Sequence, residues 1–415
     1  MSQVLTPRLR FNEFNKSLMS FSLIQLAENN LSNGVFNDAK LVGSGYKLIN
    51  VKDMYVGDQV DIKNLTLLNI GEPEFKRNQV KYGDIFFTRS SIVPSGIAYS
   101  NVNLSNDDDI TFDGHLMKMS PDLNLVVPYY LSAKFKTWTL RKRFISRGKQ
   151  STMTTIGQSD ISDILVEIPS IEEQQKIASF LTSVDSRISQ LTEKHRLLKE
   201  YKKGVMQQIF SQQLRFKDED GKAFPEWEEK QFADVFNRKT TKNKDNNLNV
   251  LTISAQQGLV SQLEYFNKSV SAKDVTGYYL LERGDFAYNK SYSKGYPMGA
   301  IKPLNKYDSG VVSTLYICFR PKANHCEFFF EQFFNGGLLN SEIAKIAQEG
   351  ARNHGLLNVS VKEFFDDIKM SIPCLKEQQK IAQLLKSIDK KIDAVEQQVE
   401  QTKLFKKGLL QQMFV

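Results

Sequence analysis

Three cysteines occur in the 415 residues, Cys318, Cys326 and Cys374, all in the second half. An odd, sparse set without Cys-x-x-Cys spacing excludes a disulfide framework and points to a reducing compartment. The adjacent His325 and Cys326 are too few to hold zinc. No run approaches the roughly 18 consecutive apolar residues of a membrane span. The opening MSQVLTPRLRF has no apolar signal core. A cytoplasmic location without a membrane partner is therefore expected.

Catalytic signatures are also missing. There is no G-x-x-x-x-G-K-[ST] phosphate loop, and so no sign of an ATP-driven motor. Gly43-Ser44-Gly45 lacks a third glycine and reads as a turn. The Asn-Pro-Pro-Tyr type of tetrapeptide found in amino-methyltransferases is absent. Asp107-Asp108-Asp109 lacks the spacing of a calcium loop and reads as a solvated loop. His115 and His354 stand without a nucleophile in any triad-like setting. No catalytic residue and no metal ligand are assigned.

What is present is an ordinary globular composition, 41% apolar and 25% charged, in a chain too long for one core. Net charge is +8, from 55 basic and 47 acidic residues. Such an excess favours a polyanionic partner without proving one. Its distribution says more. Lys134 to Lys149 contains seven basic residues and no acid, with Phe135, Trp138 and Phe144 interleaved.

The dominant feature is a repeat. Ile168–Phe210 returns 204 positions later at Ile372–Phe414 without a gap, and 19 of 43 positions are identical. The repeat divides the chain into a first globular domain at 1–167, a helical segment at 168–211, a connector with a second globular domain at 212–371, and a helical segment at 372–415. Fainter echoes extend the duplication. Leu9-Arg10-Phe11 matches Leu214-Arg215-Phe216, and the stretch from Tyr82 to Ser90 resembles that from Arg283 to Ser291. One framework carries two unlike surfaces.

Both repeats read as long helices. Ile177, Leu181, Val184, Ile188, Leu191, His195 and Leu198 alternate steps of four and three, as do Ile381, Leu385, Ile388, Ile392, Val395 and Val399. This is the seam of a coiled coil. Lys202 and Lys406 fall on it nominally, so the apolar stripe is expected to move there to Tyr201/Val205 and Phe405/Leu409. Pro169 and Pro373 suit helix beginnings. Glu172, Glu173 and Glu377 suit the positive ends. A seam of that length needs a partner, and the other copy is the obvious one.

The globular parts look mixed. LEYFNKSV, GDFAYNKSY and GVVSTLYICFRP read as strands. PYYLSAKFKTWTLRKRFI and CEFFFEQFFNGGLLNSEIAKIAQEG read as helices. Fold class α+β follows.

Nucleic-acid binding has positive support. In the basic run Arg141, Lys142, Arg143, Arg147 and Lys149 can point at phosphates, and Gln150 opens a hydroxyl-rich loop suited to a groove. Arg89 and Ser90 lie at the end of the first echo. The second domain offers Lys239 and Lys242 within Arg238 to Lys244, then Lys290, Tyr292 and Lys294, then Arg352, Asn353 and His354 between glycines. Each cluster could equally be a solvated face.

These residues resemble the specificity subunits of type I restriction-modification enzymes. Ile-Pro-x-x-x-Glu-Gln-Gln-Lys-Ile-Ala, at 168–178 and again at 372–382, is similar to that family's repeat signature. Leu-Arg-Phe and Phe224-Pro225-Glu226-Trp227 resemble its domain-opening segments. The resemblance implies two target-recognition domains alternating with two conserved helices that pack as an antiparallel, pseudo-two-fold coiled coil. It implies double-stranded DNA, two modification (methyltransferase) subunits and restriction (translocase and nuclease) subunits as partners. S-adenosylmethionine, ATP and magnesium would belong to those partners, leaving no cofactor in this chain. Docking of modification subunits would fall on the helical flanks, with Gln174, Gln175, Gln207, Gln208, Gln378, Gln379, Gln411 and Gln412 as candidates. Two rival readings stay open: a protein-interaction scaffold with two unlike domains on a coiled coil, and an enzyme with an unrecognised site.

Overall fold

The computed structural model describes residues 7–244, 246–267, 271, 274–347 and 357–414. The chain forms two compact units, one from residues 1–192 with 397–415 and one from 193–396. Each unit combines one globular part with segments of both long helices, Ile171–Phe210 and Leu375–Met413. The units cut across the helices because seam side chains are buried against the globular part and the other helix alike. Among the described residues, no helix is long and apolar enough to cross a membrane.

In the first unit, strand Met19–Ser22 pairs antiparallel with Leu165–Ile168, which leads through Pro169 into the first long helix. A four-stranded sheet runs in the order Ser32–Asn33, Leu116–Met119, Ile85–Thr88 and Ser100–Val102. Helices Pro128–Phe135 and Trp138–Ser146 cover it, and the rings of Phe87, Phe135 and Phe144 meet at 5.3 to 5.7 Å. Gly43-Ser44-Gly45 is not a turn. It lies in the bulged start of strand Val42–Ile49, where a Cβ on Gly45 would come within 2.4 Å of the Leu68 carbonyl oxygen.

The second unit repeats the plan. Strand Glu228–Gln231 pairs with Lys369–Ile372, and its four-stranded sheet orders Phe236–Arg238, Ile317–Pro321, Phe286–Asn289 and Ala300–Pro303. The faint sequence echo is one turn built twice. Buried Asp84 accepts from the Lys81 N–H, and buried Asp285 from the Glu282 N–H. The strand expectation for LEYFNKSV fails: its first four residues, Leu263–Phe266, belong to the short helix Gln262–Phe266. Asn267, at φ 53° in the left-handed region, ends that helix.

A shared device opens each unit. Arg10 holds buried Glu173 through two hydrogen bonds of 2.7 Å, and Arg215 holds buried Glu377 at 2.9 and 3.1 Å. The N–H of Leu9 donates to the Gln412 carbonyl, and that of Leu214 to the Gln208 carbonyl. Each Leu-Arg-Phe thus joins the C-terminal end of one long helix to a buried acid of the other.

The helices run antiparallel in both units. In the first, Ile177, Leu181 and Val184 share a core with Leu409 and Met413. In the second, Val205 and Ile209 share one with Ile381, Leu385, Ile388 and Ile392. The expected phase shift is only half correct. Val205 and Leu409 are buried, but Tyr201 and Phe405 are exposed. Lys202 and Lys406 turn inward instead, because each meets an aspartate: Lys202 lies 2.6 Å from Asp389, and Lys406 pairs with Asp185. These are equivalent positions of the repeat. His195 stays on the seam, half-buried, with its Nε2 unpartnered among the described residues.

In the first unit Lys406 also pairs with Asp58, which Lys136 approaches to 3.2 Å, while the Tyr129 hydroxyl donates to Asp185. The network ties the globular part to both helices. Burial alone would raise the Asp58 carboxyl, but Lys136 and Lys406 hold it below its ordinary value. A depressed carboxylate stabilises the fold above its unfolded pKa of about 3.9, and that contribution is lost as pH falls through the lower folded value. Thermal unfolding followed from about pH 5 to about pH 2 should therefore decline more steeply for the native chain than for Asp58→Asn. Parallel acid profiles would contradict this assignment.

Candidate nucleic-acid interface

The first unit gathers four of the expected residues. Strands Ser90–Ser91, Thr154–Thr155 and Lys149–Gln150 form one small sheet, which places Arg89, Ser90, Lys149 and Gln150 together. The Ile156 N–H donates to the Arg89 carbonyl and closes its base. Arg89 itself turns inward, donating to the Gly114 carbonyl at 2.8 Å. Gln150 and Lys142 are exposed.

Most of the basic run has internal partners. Arg143 pairs with Glu167 at 3.3 Å, Arg147 with Asp163 at 3.0 Å, and Lys149 with Asp160 at 2.8 Å. Lys134 is buried, and its burial pushes the ammonium down to about 8. Arg141 does not point at phosphates. It is buried and donates to the carbonyls of Ser95, Ile97 and Ala98, where burial lowers its guanidinium below the ordinary value. A sequence reading misses this because the acceptors are main-chain oxygens more than 40 residues upstream.

In the second unit Lys290, Tyr292 and Lys294 share the loop after strand Phe286–Asn289, with Tyr292 and Lys294 exposed. The Leu357 N–H donates to the Lys290 carbonyl, matching the Ile156–Arg89 bond. Lys239 is drawn inward to Glu282 at 2.8 Å and buried Asp285 at 3.6 Å, so it is a structural cation. Lys242 donates to the Gly277 carbonyl and lies 4.4 Å from the Tyr279 ring centre. Arg352, Asn353 and His354 lie outside the described residues.

The glutamines separate into two kinds. Gln174 is buried, accepts from the Val127 N–H, and donates to the carbonyls of Leu125 and Pro169. Gln378 likewise accepts from the Cys326 N–H and donates to the Pro373 carbonyl. Val127 and Cys326 cap equivalent helices, so each glutamine locks a globular part to a long helix. Neither is open to a partner, which corrects the expectation for both. Gln175, Gln207, Gln208, Gln379, Gln411 and Gln412 are exposed.

Comparison with known proteins gives a concordant picture. The chain matches the family model for the type I restriction modification DNA specificity domain twice, over residues 38–199 and 225–403. It is 22% identical over 392 residues to the protein provisionally named type I restriction enzyme MjaX specificity subunit, from Methanocaldococcus jannaschii, covering 88% of this chain and 85% of that one. Its fold resembles the type I restriction-modification S subunit of M. genitalium, with a TM-score of 0.56, 15% identity and 99% of each chain covered. A chain from a structure on complex assembly and conformational transition of the type I R-M system gives 0.52 at 13% identity, covering 95% of this chain and 96% of that one.

The two kinds of glutamine predict different mutant behaviour. Gln174→Ala removes an acceptor and two donated bonds from a buried site and should cost about 2 kcal/mol of stability. Gln175→Ala, at the surface, should change stability by less than about 0.5 kcal/mol. Chemical denaturation of both variants checks the contrast.

Proposed function

This chain belongs to the type I restriction-modification DNA specificity family, and we propose that it reads a bipartite, asymmetric DNA sequence and directs adenine methylation and restriction by partner subunits. It is a DNA-sequence specificity subunit. The observation that carries the finer reading is the use of one frame for two unlike recognition surfaces. The Arg10–Glu173 and Arg215–Glu377 pairs, the buried aspartate turns and the glutamine locks repeat, whereas the loops at Ser90 and Ser291 differ. Two dissimilar readers on equivalent supports suit two dissimilar half-sequences, as dimer geometry suits half-site spacing.

In this reading the chain is non-catalytic and works in the cytoplasm. Two modification subunits and the restriction subunits assemble on it, bringing S-adenosylmethionine, ATP and magnesium. Exposed Gln175, Gln207, Gln208, Gln379, Gln411 and Gln412 flank the helices as docking candidates, together with exposed Tyr201 and Phe405. DNA affinity falls steeply with salt, as counterion release requires. A protein-only scaffold would show no such dependence.

Sequencing of methylated adenines in cells expressing this chain with its modification subunit should reveal two fixed half-sequences around an unread gap. Methylation without sequence preference, or at one continuous site, would refute the proposal. Deleting one seven-residue seam repeat from each long helix preserves the seam phase and shortens each helix by about 10 Å. The unread gap should then shrink by about three base pairs at roughly 3.4 Å each while both half-sequences stay the same.

A further inference from the structure

The small sheet of the first domain ends in an apolar tip. Ile92 is 84% exposed and Val93 54% exposed. Ser91 pairs with Thr154 at the last rung of the ladder, so Ile92 and exposed Met153 are the next residues outward. Ser90, Ser91, Lys149, Gln150 and Ser151 surround this tip with hydroxyl, ammonium and amide groups. That mixture fits a DNA groove. Polar groups there meet phosphates and base edges, and a branched aliphatic side chain meets the methyl of thymine.

The loop bearing the tip is held from beneath. The Thr88 hydroxyl donates to the Gly96 carbonyl at 2.8 Å, and the buried Arg141 guanidinium donates to the Ser95 carbonyl at 2.9 Å and to those of Ile97 and Ala98. Ala98 sits at φ 46°, a left-handed conformation that a residue with a Cβ keeps only where its surroundings enforce it. A loop whose exit is fixed by three bonds to one guanidinium presents its tip with little left to order on binding. The second domain carries a different tip at the equivalent place. Gly299, at φ 79°, takes the place of Ala98, and Tyr292, 64% exposed, takes that of Ser91.

We propose that Ile92 contacts the 5-methyl group of a thymine in the major groove of the half-site read by the first domain, and that Arg141 is the positioning residue that holds its loop. The proposal rests on the DNA-reading function given above.

The test uses the full-length chain and duplexes bearing its recognised sequence, with each thymine of both half-sites replaced in turn by deoxyuridine. One replacement, confined to one half-site, should weaken native binding about fourfold, the worth of one buried methyl. Ile92→Ala should lose a similar factor on thymine and show no further loss on uracil. Affinity for unrelated DNA should be unchanged, since Ile92 is exposed and carries no charge. Arg141→Lys should shrink the thymine-to-uracil ratio without lowering affinity for unrelated DNA; a ratio equal to the native one overturns the positioning role. Insensitivity of the native chain to every replacement overturns the methyl contact, as does the same fourfold loss persisting in Ile92→Ala. Failure to prefer the recognised sequence over a scrambled one would instead refute the DNA-reading function itself.

Discussion

A helix of 40 residues with a single apolar seam cannot leave that seam in water, and most of this molecule answers to that constraint. In each unit an N-terminal segment of one long helix covers a C-terminal segment of the other. Where the seam runs out of apolar residues it is completed by charge, Lys202 with Asp389 and Lys406 with Asp185. A lysine on an apolar seam is costly unless paired, so the aspartates are as much a part of the seam as the isoleucines. The bidentate arginines at Arg10 and Arg215 then fasten each globular part to the helices through buried acids.

The basic residues show how a cationic sequence can build a frame rather than a binding face. Arg141, Arg143, Arg147 and Lys149 all find partners within the first unit. Exposed pairs such as Arg147–Asp163 are weak and can be exchanged for phosphate contacts, since surface ion pairs are worth roughly 0–1 kcal/mol. The buried Arg141 cannot, because leaving three carbonyls unsatisfied inside the protein costs more than a surface contact returns. Its place is under the loop that carries Ile92.

This division between frame and surface suits a specificity subunit. The Arg–Glu pairs, the buried aspartate turns and the glutamine locks are the same in both domains, so a change in a loop need not disturb them. The Ser90 and Ser291 loops begin from matching strands and carry Ile92 in one domain and Tyr292 in the other. Specificity then resides in residues that stability leaves free to vary.

The sequence by itself determined the duplication, the two helices and the seam, because helical periodicity is a local property visible in every turn. It also determined the mixed domains, since strands and helices there are bounded by glycine, proline and aromatic runs. Tertiary structure alone decided which polar residues face outward. Gln174 and Gln175 are neighbours of one type, yet one is locked to Val127 and Leu125 and the other is exposed. Arg141 and Lys142 divide in the same way. The short helix at Gln262–Phe266 was illegible for a related reason, because a five-residue aromatic segment satisfies either period. A side chain's direction depends on partners far along the chain, and spacing within a segment carries no record of them.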